Sequence, residues 1–384
     1  MPFEVPSSWA WCKLHDIIQI TNGRSQKYVE NVNGKYPIYG SGGIIGKAVD
    51  YLCEAGSTII GRKGTINNPL FVKERFWNID TAFGMKPMYA ISDLYFFYFC
   101  QYFDFSKLDK STAVPSLTQS AIGEVFIPIP PIKEQKRITD EISYWLGFID
   151  TLESNLINLQ LAIKQTKSKI LDLAIHGKLV PQYPTDEPAS ELLKRINPKA
   201  EITCDNGHYQ KLPEGWCETQ LGDIFNHNTG KALNSSNTEG TLKDYLTTSN
   251  VYWNSFDFSV IKKMLFKESE LNKCQITKGD LLVCEGGDIG RAAIWDYDYD
   301  ICIQNHLHRL RPKVNGLCVS FYYYVLYYLK INNMIGGKGI GLLGLSSNAL
   351  HKLHVPFPSL NEQHRIVSKI EEIFAQLDAI EASL

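Results

Sequence analysis

The sequence predicts an α+β protein: two pseudo-repeated, mostly-β globular domains joined by long coiled-coil helices. Three observations predict it. Ordered blocks recur in the two halves of the 384 residues, short apolar runs alternate with Gly, Asn and Pro inside each copy, and a heptad seam closes each copy.

Pro6, Trp9, Leu14, Asp16, Ile17 and Gly23 return 207 residues later as Pro213, Trp216, Leu221, Asp223, Ile224 and Gly230. Gly56, Gly64 and Ile66 return after 223 residues as Gly279, Gly287 and Ile289. Leu117, Ala121, Pro128, Pro130, Glu134, Gln135, Arg137 and Ile138 return after 228 as Leu345, Ala349, Pro356, Pro358, Glu362, Gln363, Arg365 and Ile366. The drift in spacing places insertions on loops of one common fold, and the anchors mark its frame.

In the first copy Val49 to Leu52 and Ser57 to Gly61 read as strands, Gly40-Ser41-Gly42-Gly43 and Asn67-Asn68-Pro69 as turns, and Ser92 to Tyr102 as a short helix whose aromatics fill the core. After the stop Ile127-Pro128-Ile129-Pro130-Pro131, the positions Ile138, Ile142, Trp145, Ile149, Leu152, Leu156, Leu159 and Ile163 step by alternating fours and threes. Thr166 breaks the apolar register once, and Ile170 and Leu173 continue it. One helix from Lys133 to His176 follows, roughly 65 Å long at about 1.5 Å per residue, with Gly177 as its stop. Gly177 to Lys211 carries Pro181, Pro184, Pro188 and Pro198 and reads as a structured linker with a helical piece at Ala189 to Ile196.

The second copy repeats the pattern: strands at Asp280 to Cys284 and Ala292 to Trp295, a Gly286-Gly287 turn and a helix at Val319 to Ile331. Its seam is Ile366, Ile370, Ile373, Leu377, Ile380 and Leu384. The expected segments are therefore 1–132 (first globular domain), 133–176 (long helix), 177–212 (linker), 213–360 (second globular domain) and 361–384 (shorter helix). The two seams are expected to pack on each other, the surplus of the longer one needing a further partner. The alternative is that each helix lies on its own domain.

A net charge of -2 excludes a polybasic arm, and 44% hydrophobic with 21% charged residues suits a globular protein. Nine cysteines without a CxxC pair signal neither a zinc ribbon nor a disulfide scaffold, and the N-terminus has no leader pattern. A cytoplasmic protein with no membrane span is expected.

Catalytic patterns are missing. Gly46-Lys47 is followed by Ala48, so no phosphate loop forms, and Gly339-Ile340-Gly341-Leu342-Leu343-Gly344 has no counterpart in the first copy and no surrounding βαβ unit. Asn67-Asn68-Pro69-Leu70 lacks the second proline and the aromatic of an amino-methyltransferase loop. His306 with His308, and His351 with His354, lack companions at ligand spacing, so no metal is expected. Without a repeated catalytic set, two binding heads are the simpler reading.

Candidate DNA contacts in the first copy are Arg24, Lys27, Gly42, Gly43, Lys47, Arg62, Lys63, Thr65, Asn67 and Asn68; in the second they are Lys231, Asn234, Ser235, Asn250, Arg291 and Lys338. Arg and Lys reach phosphates and guanine edges, Asn reaches adenine, and glycine lets backbone approach closely.

The layout resembles the DNA-specificity subunit of type I restriction-modification enzymes. The resembling residues are Leu117-Thr118-Gln119 and Leu345-Ser346-Ser347, the block Ile129-Pro130-Pro131-Ile132-Lys133-Glu134-Gln135-Lys136-Arg137-Ile138, and its twin from Phe357 to Ile366. His176-Gly177-Lys178-Leu179-Val180-Pro181-Gln182 after the long helix completes the set, and the similarity spans essentially the whole chain. The resemblance implies two recognition domains reading a bipartite double-stranded DNA target across a spacer, without catalysis or cofactor of their own. Two modification subunits using S-adenosylmethionine would dock on the helices and the bases of the heads, with ATP-using restriction subunits associated indirectly. Family members usually carry a second helical region closer in length to the first, and this chain shows no equivalent of Gly177-Lys178-Leu179 after Leu384. Self-association through the exposed seam is the expectation that follows. A two-headed scaffold for proteins or peptides is the alternative function.

Overall fold

The computed structural model describes residues 3–384 apart from 90, 112–113, 201–211, 234–238 and 336–344. Two compact units result, Met1–Ser154 and Asn155–Leu384.

Unit 1 contains β1 (Ala10–Lys13), β2 (Ile18–Asn22), β3 (Tyr36–Gly40), β4 (Gly43–Ala48), β5 (Ser57–Gly61), β6 (Leu70–Val72), β7 (Trp77–Asn78), β8 (Ala82–Pro87) and β9 (Phe126–Ile129). An antiparallel sheet has the order β2-β8-β5-β6, and a second sheet runs β4-β3-β7, with β3 and β7 parallel. The central strand β5, rich in β-branched residues, is buried throughout. The helix Asp93–Tyr102 begins at Ser92, whose hydroxyl accepts from the Tyr95 amide, and lays Phe96 and Cys100 in the core with Leu14, Phe83 and Ile127.

The expected strand Val49–Leu52 is not one. The strand lies a few residues earlier, over the glycine-containing Gly43–Ala48, because pairing with β3 across the Ser41-Gly42 turn fixes it; Tyr51 instead turns on the Asp50 carboxylate.

Unit 2 contains β10 (Cys217–Gln220), β11 (Phe225–Thr229), β12 (Thr241–Leu246), β13 (Val251–Tyr252), β14 (Ser255–Phe256), β15 (Lys262–Phe266), β16 (Gln275–Ile276), β17 (Leu281–Cys284), β18 (Ala292–Ile294), β19 (Ile301–Ile303), β20 (Leu307–Pro312) and β21 (His354–Phe357). Its main sheet, β11-β20-β17-β18, copies the order of β2-β8-β5-β6, and β12 pairs in parallel with β19 as β3 does with β7. The flanking pair also recurs: Ala10 faces Ile129 as Cys217 faces Phe357.

The anchors explain themselves. A Cβ on Gly23 would fall on the Ile79 carbonyl, and one on Gly230 on that of Ile303. Gly64 and Gly287 sit at φ 79° and 71°, where a side chain is strained. Thr118 and Ser346 each cap a five-residue helix by accepting from the amide three residues on.

One continuous helix spans Ile132–Ile175, and a second spans Leu360–Ala382. The helical ends and the linker are not independent segments. Leu171, Ala174 and Ile175, the linker helix Ala189–Ile196 through Leu192 and Leu193, and Ile366 and Ile370 all enter the core of unit 2 with the aromatic helix Val319–Ile331.

The expected seam-to-seam packing is realised only near the base. Lys167 pairs with Asp378 and Glu381, so the two helices run antiparallel there, and Ile163 is buried. Ile373 and Leu377 are half-buried, while Ile380 and Leu384 are exposed. In the first seam Ile138 and Ile142 are half-buried, but Trp145, Ile149, Leu152 and Leu156 lie on the surface, Trp145 at 52% exposure. The burial of Ile366 and Ile370 comes from unit 2's own core, which a heptad pattern cannot distinguish from a partner helix. Among the described residues no helix is long and apolar enough to cross a membrane.

Candidate nucleic-acid interface

Three loops of unit 1 gather around the turn Asn78–Thr81. Arg24 donates its amide to the Asn78 carbonyl at 2.9 Å, and Arg62 donates its amide to Thr81 at 2.7 Å and its guanidinium to the Asp80 carbonyl at 3.4 Å. The β3–β4 turn joins them, because the Ser41 Cβ lies beside Gly61 next to the 62–65 loop. Arg24, Lys27, Lys47 and Lys63 are exposed and Arg62 half-exposed; no atom stands over Gly42 or Gly43 within 4 Å of where a Cβ would be. Cations beside uncovered backbone suit a polyanion, with amides as donors and charges as anchors.

Thr65 and Asn68 are exposed on the same loop. Asn67 is spent on the fold: its amide nitrogen donates to Asp104 at 3.1 Å and its oxygen accepts from the Phe105 amide at 2.9 Å.

Unit 2 departs from the sequence reading. Lys231 turns inward, its side chain 11% exposed, donating to Glu270 at 2.6 Å and the Leu265 carbonyl at 2.9 Å over the Phe266 ring. Asn250 is buried, accepting from the Thr247 amide and donating to the carbonyls of Asp257 and Val260. Both staple loops, because burial without these bonds would leave polar groups unpaired. Asn234, Ser235, Lys338 and the Gly339–Gly344 glycines lie outside the described residues.

Arg291 remains half-exposed. It donates to the Thr248 carbonyl at 2.7 Å and lies 4.7 Å over the ring of Tyr252, which is 44% exposed at the β13–β14 hairpin. Tyr252 is a candidate the sequence reading missed. The signal was faint: Asn254 interrupts the aromatic stretch from Tyr252 to Phe256, and the hairpin turns on Trp253-Asn254, with Asn254 at φ 48°. A guanidinium stacked on an accessible ring offers an edge for hydrogen bonding and a face for a base.

The histidines hold structure. His227 Nε2 lies 3.0 Å from His308 Nδ1, His308 Nε2 lies 2.8 Å from the Leu345 carbonyl, and His351 stacks on His227. Burial, with His308 and His351 alongside, pushes the His227 imidazole down to about 4. His354 pairs with the buried Glu218 at 2.8 Å. Arg311 forks onto buried Asp280 at 2.8 and 2.6 Å.

Two heads of one fold, each with basic or stacking side chains on loops and each ending in a helix, define a duplicated recognition protein. Residues 6–161 and 213–384 match the family model described as the type I restriction modification DNA specificity domain, and the chain belongs to this family. It is 24% identical over 402 residues to the type I restriction enzyme EcoBI specificity subunit of Escherichia coli, covering 98% of this chain and 81% of that one. It is 22% identical to the MjaVIII specificity subunit of Methanocaldococcus jannaschii, covering 96% and 87%. The crystal structure of the HsdS subunit from Thermoanaerobacter tengcongensis superposes with a TM-score of 0.59 at 17% identity, covering all of this chain and 93% of that one, which shows the fold. The chain is thus a specificity subunit, a DNA-recognition component rather than the catalyst.

Proposed function

We propose that the chain reads a bipartite DNA target, one unit per half-site, and positions modification subunits along its helices for adenine methylation by those partners. The observation that carries this reading is the recurrence of one sheet order in both units, each carrying variable loops on a constant frame. In unit 1 the reading surface is Arg24, Lys27, Lys47, Arg62 and Lys63 around the open Gly42-Gly43 backbone, with Thr65 and Asn68 beside it. In unit 2 it is Arg291 with Tyr252. Lys231, Asn250 and Asn67 hold the loops in shape. With a net charge of -2, the chain binds DNA weakly alone and more strongly in complex, since affinity scales with the phosphates neutralised.

The exposed seam from Trp145 to Leu156 supplies a helical docking face for two modification subunits or a second copy of the chain, with restriction subunits joining through them. A cytoplasmic location accords with a substrate of cellular DNA. The peptide-scaffold reading gains nothing from the family membership.

The test is methylation sequencing of DNA from cells carrying this chain with a modification partner, against cells carrying the partner alone. A bipartite methyl-adenine motif present only with the chain is expected. Its absence, while the two proteins co-purify, would overturn the reading.

A further inference from the structure

The two copies share a frame that a strap covers in one and that, among the described residues, has no strap in the other. In unit 2 the segment Gly177–Pro188 straps the start of the second helix. Asp186 accepts from Arg365 at 2.6 Å and from Asn361 at 3.3 Å, and the Tyr183 ring lies 4.4 Å under the Arg365 guanidinium. Gly177, at φ 64°, lies against Pro213 and Trp216, where a Cβ would collide. Under this strap Trp216 is 6% exposed and its indole donates to Glu362 at 2.9 Å.

Unit 1 repeats every fixed part. Trp9 precedes β1 as Trp216 precedes β10, Pro130 follows β9 as Pro358 follows β21, and Glu134 and Arg137 take the places of Glu362 and Arg365. Yet Trp9 is only half-buried, and its indole nitrogen, shielded from solvent, donates to no described residue. Arg137 is exposed and forms no ion pair among the described residues. The indole N–H that Glu362 accepts in unit 2 therefore lacks its acceptor in unit 1, where no strap among the described residues lies over the Trp9 ring and the Arg137 guanidinium.

We propose that Trp9, Glu134 and Arg137 form a docking site for an extended, proline-containing segment of another polypeptide with the chemistry of the unit 2 strap. An aromatic side chain would stack on the Arg137 guanidinium and an aspartate three residues later would pair with its edge, as Tyr183 and Asp186 do for Arg365. The chain's own strap does not compete, because its tether already holds it on unit 2 at high effective concentration.

The test adds a synthetic peptide of residues 176–188 to the full chain, following the tryptophan indole N–H resonances. Saturable binding that moves the Trp9 signal is expected, weakened at least about tenfold by Arg137→Ala in the chain or by Asp186→Asn in the peptide, and retained in Arg365→Ala. Arg137 is exposed, so its removal leaves the fold intact, which the unchanged Trp216 resonance would verify. No saturable binding, equal binding to Arg137→Ala, or a shift confined to Trp216 would each overturn the proposal.

Discussion

Gln135 and Gln363, 228 residues apart, make the same two bonds. Gln135 donates to the Pro130 carbonyl at 2.9 Å and accepts from the Ser92 amide at 2.8 Å; Gln363 donates to Pro358 at 3.0 Å and accepts from Cys318 at 3.2 Å. In each unit one buried amide ties the Pro stop to the N-terminus of the aromatic helix and to the first turn of the seam helix. The glutamine of the repeat is therefore a structural joint.

Gln363→Ala strands the Cys318 N–H and the Pro358 carbonyl in a dry joint, at a cost of about 2–4 kcal/mol. Urea unfolding should show unit 2 losing that stability while unit 1 keeps its midpoint; an unchanged midpoint for unit 2 would contradict the joint.

The His227 imidazole, held down at about 4, is neutral in the folded chain near neutrality. An unfolded histidine takes up its proton below about 6.5, so the stability this site contributes is full above that value. It is lost progressively as pH falls toward 4. The thermal midpoint should drop across this window, and His227→Phe should shallow the slope, with His308, also lowered by burial, keeping part of it.

Arg62→Ala is expected to weaken or respecify one half of the methylated motif, and Arg291→Ala the other. Losing one well-placed guanidinium costs about 1–3 kcal/mol of discrimination. A motif changed in both halves by either variant would count against one unit per half-site.

The seam Trp145, Ile149, Leu152 and Leu156 is exposed, and an apolar stripe in water seeks cover. Light scattering of the isolated chain should show mass rising with concentration, and Leu152→Asp with Leu156→Asp should return it to the monomer. A strictly monomeric wild type would rule out self-association through this face.

The sequence alone determined the duplication, the long helix within one residue at each end, the helix expected at Ser92 to Tyr102 and found at Asp93–Tyr102, the helix Val319–Ile331, and the family resemblance. These are local or periodic: a Pro stop, a heptad and a recurring block need no knowledge of what lies across the chain. Only the tertiary structure decided which polar residues face out. Lys231 lies inward because Glu270, 39 residues away, waits for it, and Asn250 because two carbonyls of the following loop need a donor. Nor could spacing tell that Ile366 and Ile370 enter a core while Leu152 stays bare, since a heptad records that a stripe is apolar, whereas its cover is set by long-range packing.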